Sequence, residues 1–180
     1  MIAATKCLSA RHLLSRRALS GHLTLKRNAK IMADSNHDIS TLNSLIATTL
    51  DSVEGYREAA DEIENGRFTG LFTSRAQERR TVVSDLQAQV RTLGGNPEDY
   101  GTVLAGAHRM FLDLKAKVTG QDDKAVVNEV ERGEDHIKAK YESALADTDL
   151  SPATLAVISK AYQSVREGHD QMSALKHSLA

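Results

Sequence analysis

From residue 42 to residue 63 the chain places Leu42, Ile46, Thr49, Val53, Tyr56, Ala60 and Ile63 in steps that alternate between four and three. That spacing lines them along one stripe of an α-helix and makes the stripe the seam of a left-handed helix pair. A helix with such a seam must bury it against other helices. The spacing therefore predicts a helix over residues 38–65, with Asp38 or Ser40 capping its first N–H groups and Asn65-Gly66 as a left-handed stop.

Few breakers interrupt the rest of the chain: the 180 residues include only two prolines and eleven glycines. A second helix is predicted over residues 68–93, with Phe72, Val82, Leu86 and Val90 inward, ended by Gly94-Gly95-Asn96-Pro97. A shorter third spans residues 102–118, with Leu104, Ala107, Phe111 and Leu114 on one side, and Thr119-Gly120 breaks it. The fourth starts after Asp122 and Asp123, whose charge suits a positive helix N-terminus. It runs to Ala146 through Val127, Val130, Glu134, Ile137, Tyr141 and Leu145. Ser151-Pro152 opens the fifth, a capping hydroxyl followed by proline at the first helical position. Its seam reads Leu155, Ile158, Tyr162, Val165, His169, Met172, then Leu175 or Lys176. Aromatics are only 4% of the chain, so the core is mostly aliphatic.

Connection lengths select the topology. The first two long helices are joined by a few residues and must be antiparallel neighbours, as must the last two. A long connection carrying its own helix separates the hairpins. Two hairpins with one crossover make the fold class all-α, a ferritin-like antiparallel four-helix bundle with an extra short helix in the crossover. Tyr56-Arg57-Glu58-Ala59 and Tyr141-Glu142-Ser143-Ala144 occupy comparable places in the two hairpins and hint at a repeat. The bundle spans residues 38–178, and residues 1–37 form an N-terminal extension outside it.

That extension is chemically different from the body. Residues 1–33 hold seven of the 23 Lys and Arg and no acid, which leaves 16 basic against 24 acidic residues, a net −8, for the rest. An acidic body argues against nucleic acid as a partner, since that needs a positive face. No run approaches a membrane span. The single cysteine, Cys7, excludes an intrachain disulfide and a thiolate metal cluster.

The residues that carry chemistry are polar side chains standing on apolar seams. Glu134 sits between Val130 and Ile137 at seam spacing, and His169 between Val165 and Met172. Arg75, Glu78 and Arg79 interrupt the second helix. A buried carboxylate needs a partner. Ferritin-like metal sites take a Glu from each of two helices and a Glu-x-x-His from each of the other two. Here Glu78-x-x-Thr81 keeps the acid without the histidine, and Arg166-x-x-His169 keeps the histidine without the acid. Glu54 and Glu58 lie beside their seam rather than on it. Glu78, Glu131, Glu134 and His169 therefore form a candidate polar cluster, metal-binding or structural. Arg79 and Arg166 are candidate ion-pair partners, and structural pairing is favoured because an arginine repels a divalent cation and attracts a carboxylate. Counting back from the last turn puts Arg166 nearest Glu134, with Arg79 second. Tyr56, Tyr141 and Tyr162 read as core residues whose hydroxyls find a partner. His108 and His136 read as partly exposed. There is no phosphate-binding glycine loop, no nucleophile elbow and no His-Glu-x-x-His run, so no catalytic residues are assigned.

Six segments in order carry a resemblance: residues 38–50 (DISTLNSLIATTL), Gly55-Tyr56-Arg57-Glu58-Ala59-Ala60, Glu78-Arg79, Leu93-Gly94-Gly95-Asn96-Pro97, His108-Arg109 with Asp113-Leu114-Lys115, and Glu131-Arg132-Gly133-Glu134-Asp135. Over residues 38–176 the chain resembles a proteobacterial four-helix-bundle family of unknown function in the ferritin-like superfamily. The resemblance implies that fold, a bacterial and cytoplasmic protein, and no established activity. It also favours translation beginning at Met32. The other reading of the basic, serine-containing extension is a mitochondrial transit peptide. Disorder or loose helix is expected there.

The functional expectation is a non-catalytic helical bundle with no cofactor, a homodimer as its partner state, and a stress association by analogy alone. The alternative is a metal-binding or oxidoreductase protein using iron, manganese or zinc at a reduced site of Glu78, Glu131, Glu134 and His169.

Overall fold

The computed structural model describes residues 9–63, 66–101 and 123–179, with side chains from Ser35 onward. Four helices carry the described fold: α1 (Ser9–Glu62), α2 (Thr69–Thr92), α3 (Asp123–Leu145) and α4 (Pro152–Ser178). The crossover helix expected over residues 102–118, with His108, lies outside the described residues. No strand occurs among the described residues, and no helix there is long and apolar enough to cross a membrane.

α1 begins at Ser9 rather than at Asp38. Residues 9–37 contain no proline and are rich in leucine, alanine, arginine and lysine, so nothing in that stretch stops a helix. Asp38 is correspondingly not the cap of its own helix. It is buried, and its carboxylate accepts from Ser151 N at 3.0 Å, from Ser151 Oγ and from Thr154 Oγ1 at 2.9 Å. It thus serves the start of α4, where Ser151 Oγ in turn accepts from Thr154 N and Pro152 takes the first helical position.

α2 stops where the glycine pair predicts. Gly94 takes φ +80° and its N–H reaches Arg91 O at 3.0 Å, while Gly95 N–H reaches Val90 O at 2.9 Å. Gly95 also lies so close to Ile39 that a Cβ would come within 2.9 Å of that side chain. The second glycine lets the turn seat against α1.

Side-chain pairs give the helix directions. Thr49 meets Tyr141 and Ser52 meets Glu134, so α1 and α3 are antiparallel. Lys160 meets Asp85 and Gln171 meets Arg75, so α2 and α4 are antiparallel. Tyr162 meets Glu142 and Lys176 meets Glu131, so α3 and α4 are too. α2 and α3 both oppose α1 and hence run the same way. Two consecutive bundle helices that run the same way mark the ferritin-like topology.

The core divides into two apolar clusters. One, toward the α3–α4 turn, holds Leu42, Ile46, Leu86, Ile137 and Ile158 among others. The other, toward the α1–α2 turn, is built around Tyr56, Phe72, Val127 and Met172. The buried line of α4 is Thr154, Ile158, Ala161, Val165, Gly168 and Met172. It alternates small and large residues at heptad spacing and corrects the seam expected from the bulkier Leu155, Tyr162 and His169. Val130 and Leu145 on α3 are likewise only half-buried, with Glu131 and Ala144 turned inward.

Candidate functional site

Between the two apolar clusters lies a polar layer. Arg79 of α2 and Glu134 of α3 are 0% and 1% exposed, and Arg79 Nη2 donates to Glu134 Oε2 at 2.7 Å. Heptad spacing sends both inward: Arg79 stands seven residues from both Phe72 and Leu86, and Glu134 seven from Val127 and from Tyr141.

The network continues outward from this pair. Arg79 Nη1 donates to Ser164 Oγ of α4 at 2.9 Å, and Ser164 Oγ donates to Glu78 Oε1. Arg75 Nη1 holds the other Glu78 oxygen at 2.6 Å, and Arg75 Nε donates to Gln171 at the surface at 2.7 Å. On the α1 side, Ser52 Oγ reaches Glu134 Oε1 at 3.4 Å. Among the described residues two buried side-chain polar atoms have no hydrogen-bond partner, Arg79 Nε and the Tyr56 hydroxyl. Each such atom costs about 1–3 kcal/mol.

Burial raises the Glu134 carboxyl above the usual carboxylate range, and the adjacent Arg79 guanidinium only partly draws it back. The Tyr56 hydroxyl is pushed well above the ordinary tyrosine range, first by burial and then by the nearby Glu134 charge. The two groups feel one another although Tyr56 does not meet hydrogen-bond geometry.

Gly168 makes room for this pair. A Cβ there would run into Arg79 Nη2 and lie 2.9 Å from Glu134 Oε2. Gly168, Ser164 and Ser52 are participants that seam-reading by bulk passes over. A glycine inside a long helix, where it stops nothing, was the available signal for Gly168.

The hint of a repeat becomes geometry here. Thr49, Tyr56 and Arg79 each precede Glu134, Tyr141 and Ser164 by 85 positions. Tyr141 hydrogen-bonds Thr49 at 2.8 Å, as Tyr56 lies beside Glu134, and Arg79 bonds its own counterpart Ser164. The two hairpins present equivalent positions to the core, about two helical turns apart along α1 and α3. One pair includes the buried charge of Glu134 and the other joins two hydroxyls.

The remaining sequence candidates disperse. Arg166 is exposed and does not pair with Glu134; the partner comes from α2 because position 166 points away from the Gly168 line. His169 lies off the core, half-buried, with Nε2 3.1 Å from Asp135 and Nδ1 3.0 Å from Asp170. Glu131 is held by Lys176 Nζ at 2.8 Å. His136 is exposed, and Tyr162 is half-buried with its hydroxyl donating to Glu142 at 2.7 Å. The donor set does not fit a carboxylate–histidine metal centre: Arg79 and Ser164 stand between Glu134 and Glu78, and His169 faces elsewhere. Among the described residues no three His, Cys, Asp or Glu side chains converge to hold an ion.

A solved structure shares this architecture: a two-domain protein containing DJ-1/ThiJ/PfpI-like and ferritin-like domains from Anabaena variabilis ATCC 29413. It superposes with a TM-score of 0.61 at 12% identity, over 80% of this chain and 37% of that one. The chain thus spans little more than a third of that protein, and the likeness establishes the fold. No curated protein matches the chain in sequence. The family model described as domain of unknown function (DUF2383) matches residues 37–147, more than half of the chain, and the protein belongs to that family.

Proposed function

We propose that this protein is a non-catalytic ferritin-like bundle whose central polar layer is a structural cross-link. The observation that carries the reading is the Arg79 guanidinium, fully buried and bonded to both Glu134 and Ser164. It joins three helices in the bundle core, the region where metal-binding bundles of this fold converge their carboxylates. A fixed guanidinium there satisfies Glu134 and opposes a divalent cation electrostatically.

The test is elemental analysis of protein purified without chelators, with thermal melts before and after chelator treatment. The expected result is no stoichiometric metal and an unchanged Tm. A chelator-induced drop in Tm, restored by iron, manganese or zinc and absent in Glu134→Ala, would overturn the proposal. It would favour a reduced metal site drawing on Glu78, Glu131, Glu134 and His169.

A further inference from the structure

A groove of about 290 Å³ opens between α1 and α3 near the α3–α4 turn, well away from the buried pair. Helical seams are usually closed by the long side chains that flank them. Here the flanks carry short hydroxyls: Ser40, Thr41 and Ser44 on α1 and Ser143 on α3. The floor is Leu45 and the small Ala144, so depth is left between the helices. At one end His37 Nε2 meets Asp147 Oδ2 at 2.8 Å, which occupies the one carboxylate among the residues lining the groove.

The groove's lysine is different. Lys138, on the same helix, pairs with Glu142 at 3.2 Å, whereas Lys140 makes no ion pair among the described residues. With Asp147 taken up by His37, the ammonium of Lys140 is the charge left for a ligand among the residues lining the groove. Serine and threonine hydroxyls both donate and accept, so they match a ligand that does the same. One ammonium matches one compact anionic group. The volume suits a small molecule, at the lower end of ligand clefts.

We propose that this groove binds the phosphate monoester of a small polyol, with the phosphate on Lys140 and the polyol hydroxyls along Ser40, Thr41, Ser44 and Ser143. The site is independent of the metal question at Glu134.

The test is an NMR titration of the full chain with glycerol 3-phosphate, inorganic phosphate and glycerol. Saturable amide shifts confined to residues 37–45 and 140–147 are expected with glycerol 3-phosphate. Inorganic phosphate should bind about tenfold more weakly and glycerol not at all. Lys140→Gln, an exposed change that leaves the helices intact, should weaken binding about tenfold. Ser143→Ala and Thr41→Val should weaken glycerol 3-phosphate more than phosphate. No saturable shift, shifts elsewhere, or unchanged affinity in Lys140→Gln would overturn the proposal. Equal affinity for phosphate and glycerol 3-phosphate would overturn its polyol half.

Discussion

Gly168 lies against the Arg79 guanidinium, so close that a methyl group on its Cα would strike Nη2. The clash is with a side-chain end, which usually moves cheaply. Arg79 is fully buried and bonded to both Glu134 and Ser164, so moving it breaks those bonds. Gly168→Ala should therefore destabilise the bundle by a net of about 1–2 kcal/mol, the overpacking penalty exceeding the gain in helix propensity. Gly133, inside α3, has nothing within 4 Å of its would-be Cβ. Gly133→Ala should stabilise by about 0.5–1 kcal/mol. Urea denaturation of both variants checks the contrast.

The buried pair should behave as a unit. Glu134→Ala leaves Arg79 as a stranded buried charge and should cost about 3 kcal/mol, with Glu134→Gln costing less. Replacing both partners by apolar residues, as in Arg79→Met with Glu134→Leu, removes the stranded charge. That double variant should be near the wild type in stability. A double-mutant cycle measures the coupling. Additive losses would mean the two side chains do not depend on one another.

Acid should favour the folded state through Glu134. Its folded carboxyl is raised above 4.5, so the native chain holds that proton more tightly than the unfolded chain does. The sign is therefore that this group's stabilisation is fully present below the unfolded value and is lost as pH rises through the raised folded one. The stability of the wild type relative to Glu134→Gln should increase as pH falls from 7 to about 4. Chemical denaturation at a series of pH values reads it. A difference that shrinks toward acid would mean Arg79 outweighs burial.

Alkali should act through the tyrosines. Burial pushes Tyr141 up to about 12, against a hydrogen bond shared with Thr49 that lowers it, and Tyr56 is also raised. Their stabilisation is complete below the unfolded value of 10.0 and is lost as pH rises through the folded values. Absorbance titration should show these two phenols ionising only with loss of helical signal. Tyr141→Phe should reduce the alkaline part of the transition.

Asp38 spans from α1 to the first turn of α4 and there receives Ser151 and Thr154. Asp38→Ala should cost about 1–2 kcal/mol, the scale of a lost cap. Amide exchange should quicken first at residues 151–155. Unchanged exchange there would show that Ser151 alone sustains the start of the helix.

By itself the sequence determined the four long helices of the bundle and the stop of α2, but not the start of α1. Heptad steps such as Leu42, Ile46, Thr49, Val53 and Tyr56 are a local property of one chain segment, and Gly94-Gly95-Asn96-Pro97 ends α2 through its own backbone preferences. Glu134 was legible as a buried acid for the same reason. Which residues meet across helices was decided by tertiary structure. α4 turns its Thr154, Ala161 and Gly168 line inward, a rotation that depends on the volumes facing it and not on its own hydrophobicity. That rotation carries His169 off the core toward Asp135 and exposes Arg166. It leaves above Gly168 the space into which Arg79 from the other hairpin extends to reach Glu134.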